Sequence, residues 1–165
     1  APRVTEKMGG HVSQLAKAVM LYSPWQFLFW YDRPMGSPGT KGGAGSSRGI
    51  IQDHEELEFF KHMPTVWDET RVLEGKIGRY ATIARRSGKD WFLGSLTGNE
   101  GKNLNINLDF LEENARYDAT IYTHDPEVES TTRVKIEEKT VNSREVLDFT
   151  IDPNSGLAIH FHHTP

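Results

Sequence analysis

Apolar and polar positions alternate most cleanly from Asn103 to Phe110. Leu104, Ile106, Leu108 and Phe110 share one face, and Asn103, Asn105, Asn107 and Asp109 share the other. A period of two with one wet face predicts a half-buried strand. Nearer the start the period changes. Leu15, Ala16, Val19, Met20 and Ser23 recur at helical spacing within Val12–Tyr31, "VSQLAKAVMLYSPWQFLFWY". Ser23-Pro24 predicts a break and restart, because serine caps a helix and proline tolerates its first position. Tyr22, Trp25, Phe27, Phe29, Trp30 and Tyr31 make the second part too apolar all round to lie freely on a small surface. It is also too short and interrupted for a membrane span. The expectation is a buried helix whose partners belong to a larger core, ahead of a membrane-surface anchor or an aromatic-lined groove.

The remainder reads as β. Gly78–Arg86 and Trp91–Thr97 flank "SGKD", which predicts a hairpin. Arg116–His124 follows, with Tyr117, Ala119, Ile121 and Thr123 on one side, then Thr132–Lys139, with Val134 and Ile136 inward. Arg144–Ile151 and Leu157–His163 are separated by the turn "DPNSG". Seven short strands predict an antiparallel sandwich-like assembly. Between the two regimes, Asp53–His62 reads as a short helix. Asp53 and Glu56 are spaced as a capping box, Glu55 and Glu56 suit the positive end of the dipole, and Leu57 and Phe60 share a face. Met63-Pro64 ends it. Met35–Ile50 is a glycine- and serine-rich loop of a length that is functional or mobile. It lacks the order of a phosphate-binding loop.

Composition narrows the classes. A chain of 165 residues with 36% hydrophobic and 25% charged residues supports one ordinary folded domain, or a small domain with part of another. The net charge of -4 gives no footprint for nucleic acid. With no cysteine, neither a disulfide framework nor a thiol nucleophile is available.

Candidate chemistry is sparse. His160 and His162 would share a face of the last strand, and two imidazoles so placed can meet one metal ion, but zinc takes three or four ligands. With Ile159 and Phe161 inward, the histidines read instead as solvent-side groups. His163 completes this tail, His11 stands at a helix start, and His54 and His62 bracket the short helix without a catalytic role. Asp68 and Glu69 are adjacent, so on an extended segment they point oppositely and cannot flank one glycosidic bond. They read as partners of backbone groups or of Arg71, Arg85 or Arg86. Trp25, Trp30, Trp67 and Trp91 fit core or interface packing better than a sugar-stacking platform.

Three stretches carry a resemblance: "HVSQLAKAVMLYSPWQFLFWYDRP", "FFKHMPTVWDETRVLEGKIGRYATIARRSGKDWFLGSLTG" and "LNINLDFLEENARYDATIYTHD". Together they resemble glycoside hydrolase family 97, the α-glucosidases and α-galactosidases of Bacteroidetes. The resemblance implies a three-part enzyme, with an N-terminal β-domain, a (β/α)8 barrel and a C-terminal β-domain. On this basis residues 1–64 are expected to be terminal helices of the barrel, with the glycine-rich loop 35–50, and residues 65–165 the antiparallel β-domain. Asp32 and Pro34 match a family D-x-P that reads as structural. The family's catalytic carboxylates and the ligands of its calcium ion correspond to positions before Ala1. No residue of this chain is therefore assigned a catalytic, cofactor-binding or metal-ligating role. The parent is expected to act on α-linked oligosaccharides in the periplasm or outside the cell. The chain alone is expected to be inactive, to bind no nucleic acid, to lack a membrane span and to self-associate through its aromatic helix. The alternatives are a carbohydrate-binding module and a protein-interaction domain.

Overall fold

The computed structural model describes residues 9–26 and 54–164. The expected helix restart through Phe27–Tyr31, Trp30, the Asp32 and Pro34 pair, the loop 35–50 and Asp53 lie outside them.

The first helix, α1, spans Gly10–Met20. It is shorter than the apolar run predicts, because Leu21–Gln26 folds into a bend. Its predicted apolar stripe is real: Leu15, Ala16 and Val19 are fully buried. A 3-10 turn, Glu55–Leu57, leads into a single helical turn, α2, at Glu58–His62. The side chain this segment inserts fully is Phe59, with Leu57 and Phe60 only partly covered.

Eight strands follow: β1 Glu69–Lys76, β2 Tyr80–Ser87, β3 Asp90–Thr97, β4 Lys102–Asn107, β5 Arg116–His124, β6 Val134–Val141, β7 Val146–Ile151 and β8 Gly156–Thr164. The seven expected strands are all present, and β1 is an eighth. Six form one antiparallel sheet in the order β1-β2-β3-β8-β5-β6, while β4 and β7 form a separate antiparallel ribbon. The β2–β3 hairpin closes at "SGKD" as expected, with Ser87 opposite Asp90 and Gly88 at φ 59°, a left-handed turn position suited to glycine.

The two sheets meet face to face in one core. Leu104, Ile106, Leu147 and Ile151 of the ribbon pack against Leu93, Ala119, Ile121, Leu157, Ile159 and Phe161 of the large sheet. The fold is thus mainly β, antiparallel and sandwich-like, but unequal, with six strands against two. The opposite face of the large sheet is covered by the helical segments. Val12, Leu15, Val19 and Phe59 close a second core over Phe92, Tyr122, Val134 and Ala158. Each fully buried aliphatic or aromatic side chain contributes about 1.5–3 kcal/mol, and β8 supplies such groups to both faces. Helix α1 lies on β3 and β8 and approaches most closely at Gly94, where a Cβ would stand 2.6 Å from the Ala16 carbonyl oxygen.

Candidate functional site

The helical cover stops short of one end of the large sheet, and a groove of about 400 Å³ opens there. Five acidic side chains are among those that line it: Glu55 and Glu58 from the helical segment, Asp118 and Glu138 from β5 and β6, and Asp90 from β3. Register brings the cluster at its floor together. Trp91 pairs with Phe161 and Phe92 with His160, so Asp90, one position beyond, meets the histidines of β8. The Asp90 Oδ2 lies 3.1 Å from His160 Nε2 and 2.9 Å from His162 Nδ1. Its other oxygen accepts the His163 backbone N–H at 3.0 Å, which fixes the carboxylate plane.

Two rings stack on His160. Phe92 stacks at 4.3 Å between centroids, and His62 stacks at 5.5 Å. Its side chain is 9% exposed, that of Asp90 28% and that of His162 62%. The expectation of two solvent-side histidines therefore holds for His162 and fails for His160. Strand alternation puts His160 away from the ribbon core, but α2 and Phe92 cover that second face. Burial pushes the His160 imidazole below its ordinary pKa, against the pull of Asp90. Burial pushes the Asp90 carboxyl up, but hydrogen bonds from His162, the His163 backbone and His160 outweigh it and hold the group low. Tyr122 beside them is raised to about 12, by burial first and then by Glu58 and Glu55. Asp90 was legible only as a turn residue; its partners are 70 and 72 positions away.

A second feature is the surface beyond α1. Leu21, Tyr22, Trp25 and Val66 are all more than 60% exposed. Leu21, Tyr22 and Trp25 stand on the turn that follows α1. The Gln26 amide donates to the carbonyls of Ala18 and Leu21 at 3.0 and 2.9 Å, and the Trp25 N–H donates to Ser23 Oγ at 3.2 Å. Arg85 donates to the Met20 carbonyl at 3.1 Å, capping α1, and its guanidinium lies 5.1 Å from the Tyr22 ring and 5.8 Å from the Trp67 ring. A cation at a helix C-terminus and over an aromatic face is favourable in both respects.

The other singled-out residues have structural places. Glu69 bonds Arg71 at 2.7 Å and Arg86 at 3.3 Å, and Asp68 accepts the Gly88 N–H at 2.7 Å. Arg85, considered as a partner of these acids, serves α1 instead. Trp91 is buried in the ribbon-side core and Trp67 packs edge-on to Phe92 on the helix side, so the described tryptophans form no common platform. His11 is buried at the start of α1. Among the described residues, one group of three or more metal-ligating side chains converges, that of Asp90, His160 and His162. Two imidazoles and one carboxylate do not fit calcium, which takes six to eight oxygen ligands. No helix among the described residues is long and apolar enough to cross a membrane.

The family model described as glycosyl-hydrolase 97 C-terminal, oligomerisation, matches residues 66–162. A retaining alpha-galactosidase of Bacteroides thetaiotaomicron is 32% identical over 114 residues, covering 69% of this chain and 15% of that protein. A probable retaining alpha-galactosidase of Streptomyces bingchenggensis is 47% identical over 36 residues, 22% of this chain and 6% of that protein. The chain thus spans a small part of the length of the curated relatives it matches. A solved glycoside hydrolase family 97 enzyme from Pseudoalteromonas sp. strain K8, in complex with acarbose, superposes with a TM-score of 0.74 at 24% identity. That superposition covers 96% of this chain and 23% of the enzyme, and shares the fold described above.

Proposed function

We propose that this chain, which belongs to the glycosyl-hydrolase 97 C-terminal family, is the terminal portion of a longer α-glycosidase and has no hydrolytic centre of its own. The observation that carries this is the extent of the match: it takes in every strand from β1 to β7 and most of β8, in relatives of which this region is a small fraction. The names of the two curated relatives favour a parent that cleaves α-galactosides with retention. Retaining hydrolysis needs two carboxyl groups about 5–5.5 Å apart across the substrate. In a (β/α)8 parent such groups belong at the C-terminal ends of the barrel strands. Calcium, if the parent uses it, binds there as well.

Residues 1–64 are the expected last helices of that barrel and 65–165 the β-domain. The packing of α1 onto β3 and β8 fits a junction at which a helix is shared by both parts. The ordered, exposed turn with Leu21, Tyr22 and Trp25 is then the face that meets the barrel. Secretion to the periplasm or beyond follows from the family resemblance. Two measurements test the whole. The reading frame upstream of Ala1 should encode a barrel. The isolated chain should show no turnover of aryl α-galactosides or α-glucosides above a buffer blank, and measurable turnover would overturn the reading.

The word oligomerisation in the family description favours a second role, self-association. Sedimentation of the isolated chain across a concentration series should show a reversible dimer or larger species. A strict monomer at every concentration would remove that role. A carbohydrate-binding module would instead show saturable tryptophan fluorescence changes with maltooligosaccharides or galactosides, and a flat response is expected.

A further inference from the structure

We propose that Asp90, His160 and His162 form a binding site for a divalent transition-metal ion, zinc by the chemistry of its donors. Three ligand atoms, Asp90 Oδ2, His160 Nε2 and His162 Nδ1, lie within 4.8 Å of one another. Zinc bonds of about 2.0–2.1 Å to nitrogen and about 2.0–2.2 Å to oxygen place neighbouring ligand atoms roughly 3–3.5 Å apart in a tetrahedral site. The separations of 3.1 and 2.9 Å from Asp90 to the two imidazoles are already close to that spacing. The two imidazole nitrogens lie within 4.8 Å of each other, and His162, being exposed, is the ligand with room to turn toward an ion.

Two imidazoles and a carboxylate suit zinc and its neighbours, whereas magnesium and calcium prefer oxygen-only sets. The site is also built. His160 is packed against the rings of Phe92 and His62, and Asp90 is oriented by the His163 backbone N–H. Such supporting contacts fix the direction of metal ligands. His62 and Glu58, 3.2 Å apart, line the same groove as the cluster and are the nearby groups that could supply a further ligand or hold a water. Glu55, Asp118 and Glu138 around the rim give the groove a negative potential that draws cations. The ion would tie the start of β3 to the end of β8, a clamp between two strands far apart in sequence.

The test is titration of the full, untagged 165-residue chain with zinc chloride by calorimetry, repeated with cobalt(II) to read visible d–d absorption. One equivalent should bind, and cobalt should give the intense bands of a low-coordinate site containing nitrogen. His162→Ala, at an exposed position, and Asp90→Asn should each weaken zinc binding at least about tenfold. His124→Ala, outside the cluster, should leave it unchanged. Wild-type zinc should raise the melting temperature, and the two cluster variants should lose that rise. Absence of saturable binding, or binding that persists undiminished in His162→Ala and Asp90→Asn, overturns the proposal.

Discussion

Replacing Gly94 by alanine should loosen the seat of α1. Taken alone, the change favours the fold, because alanine restricts the unfolded chain and stabilises by about 0.4–1 kcal/mol where the backbone permits it. Gly94 has ordinary strand geometry, so no backbone strain opposes the substitution. Space does. The new methyl would stand 2.6 Å from the Ala16 carbonyl oxygen and 3.1 Å from Val19 Cβ and Met20 Cγ. Non-bonded heavy atoms rest at about 3.5–4.0 Å, so the contact must open by roughly 1 Å. Met20 can swing aside, but the Ala16 carbonyl moves only with its helix. Lifting α1 thins the contacts of Val12, Leu15 and Val19, all at most 1% exposed. A gap of that order forfeits about a quarter to a half of each dispersion well, and overpacking of this kind costs about 1–3 kcal/mol. The steric cost exceeds the entropic gain, and a net loss of about 1.3 kcal/mol is expected from the centres of these ranges. At about 2–4 °C per kcal/mol for a chain of this size, the melting temperature should fall by roughly 3–5 °C. Urea denaturation gives the free energy and circular dichroism the melting temperature. Gly75→Ala is the control, since its methyl would meet nothing closer than 3.6 Å. A Gly94→Ala protein as stable as the parent chain would refute the close approach.

Further expectations can be checked with the same assays. Phe59→Ala removes a fully buried ring that packs edge-on to Phe92 and Tyr122, and should cost about 3–5 kcal/mol; a loss below about 1 kcal/mol would mean that α2 is not anchored there. Ile77→Ser, at a fully exposed turn position, should stay within about 0.5 kcal/mol of the parent, and a larger shift would place Ile77 in a contact. Burial holds the His11 imidazole low against the opposing pull of Glu56, with His54 adding to the lowering, and burial does the same at His160, which faces Asp90, His62 and His162. The unfolded chain therefore takes up these protons first. Stability should be full above about pH 6.5 and decline as the pH falls below it, by at most about 1.4 kcal/mol per pH unit for each imidazole. Denaturation midpoints that stay level from neutral pH into the acid range would contradict this.

The legible parts of the fold are those with one wet face. From Asn103 to Phe110 the alternation in sequence is the alternation of burial, because β4 covers the core with one side only. β1 escaped for the converse reason. It is an edge strand whose Val72 is 68% exposed, and a bulge between Val72 and Glu74 breaks its rhythm. Strands covered on both faces mislead in another way. The outward side of β5 carries the buried Tyr122, and that of β8 carries His160, since α1 and α2 lie over them. Periodicity reports how a strand alternates but not whether a helix covers its second side. Asp90 became informative only when the β3–β8 register joined residues distant in sequence. Leu57 and Phe60 were spaced as one helical face, but the segment begins as a 3-10 turn, and the altered rotation aims Phe59 inward.

β8 comes last in chain order among the described strands, yet it lies inside the large sheet, paired with β3 on one edge and β5 on the other. During synthesis from the N-terminus, the β1-β2-β3 meander and the β5-β6 hairpin leave the ribosome first, each with an open edge and no means of joining the other. Completion waits until Gly156–Thr164 has emerged, so the nascent domain passes through a stage with two unpaired edges that invite association with other chains.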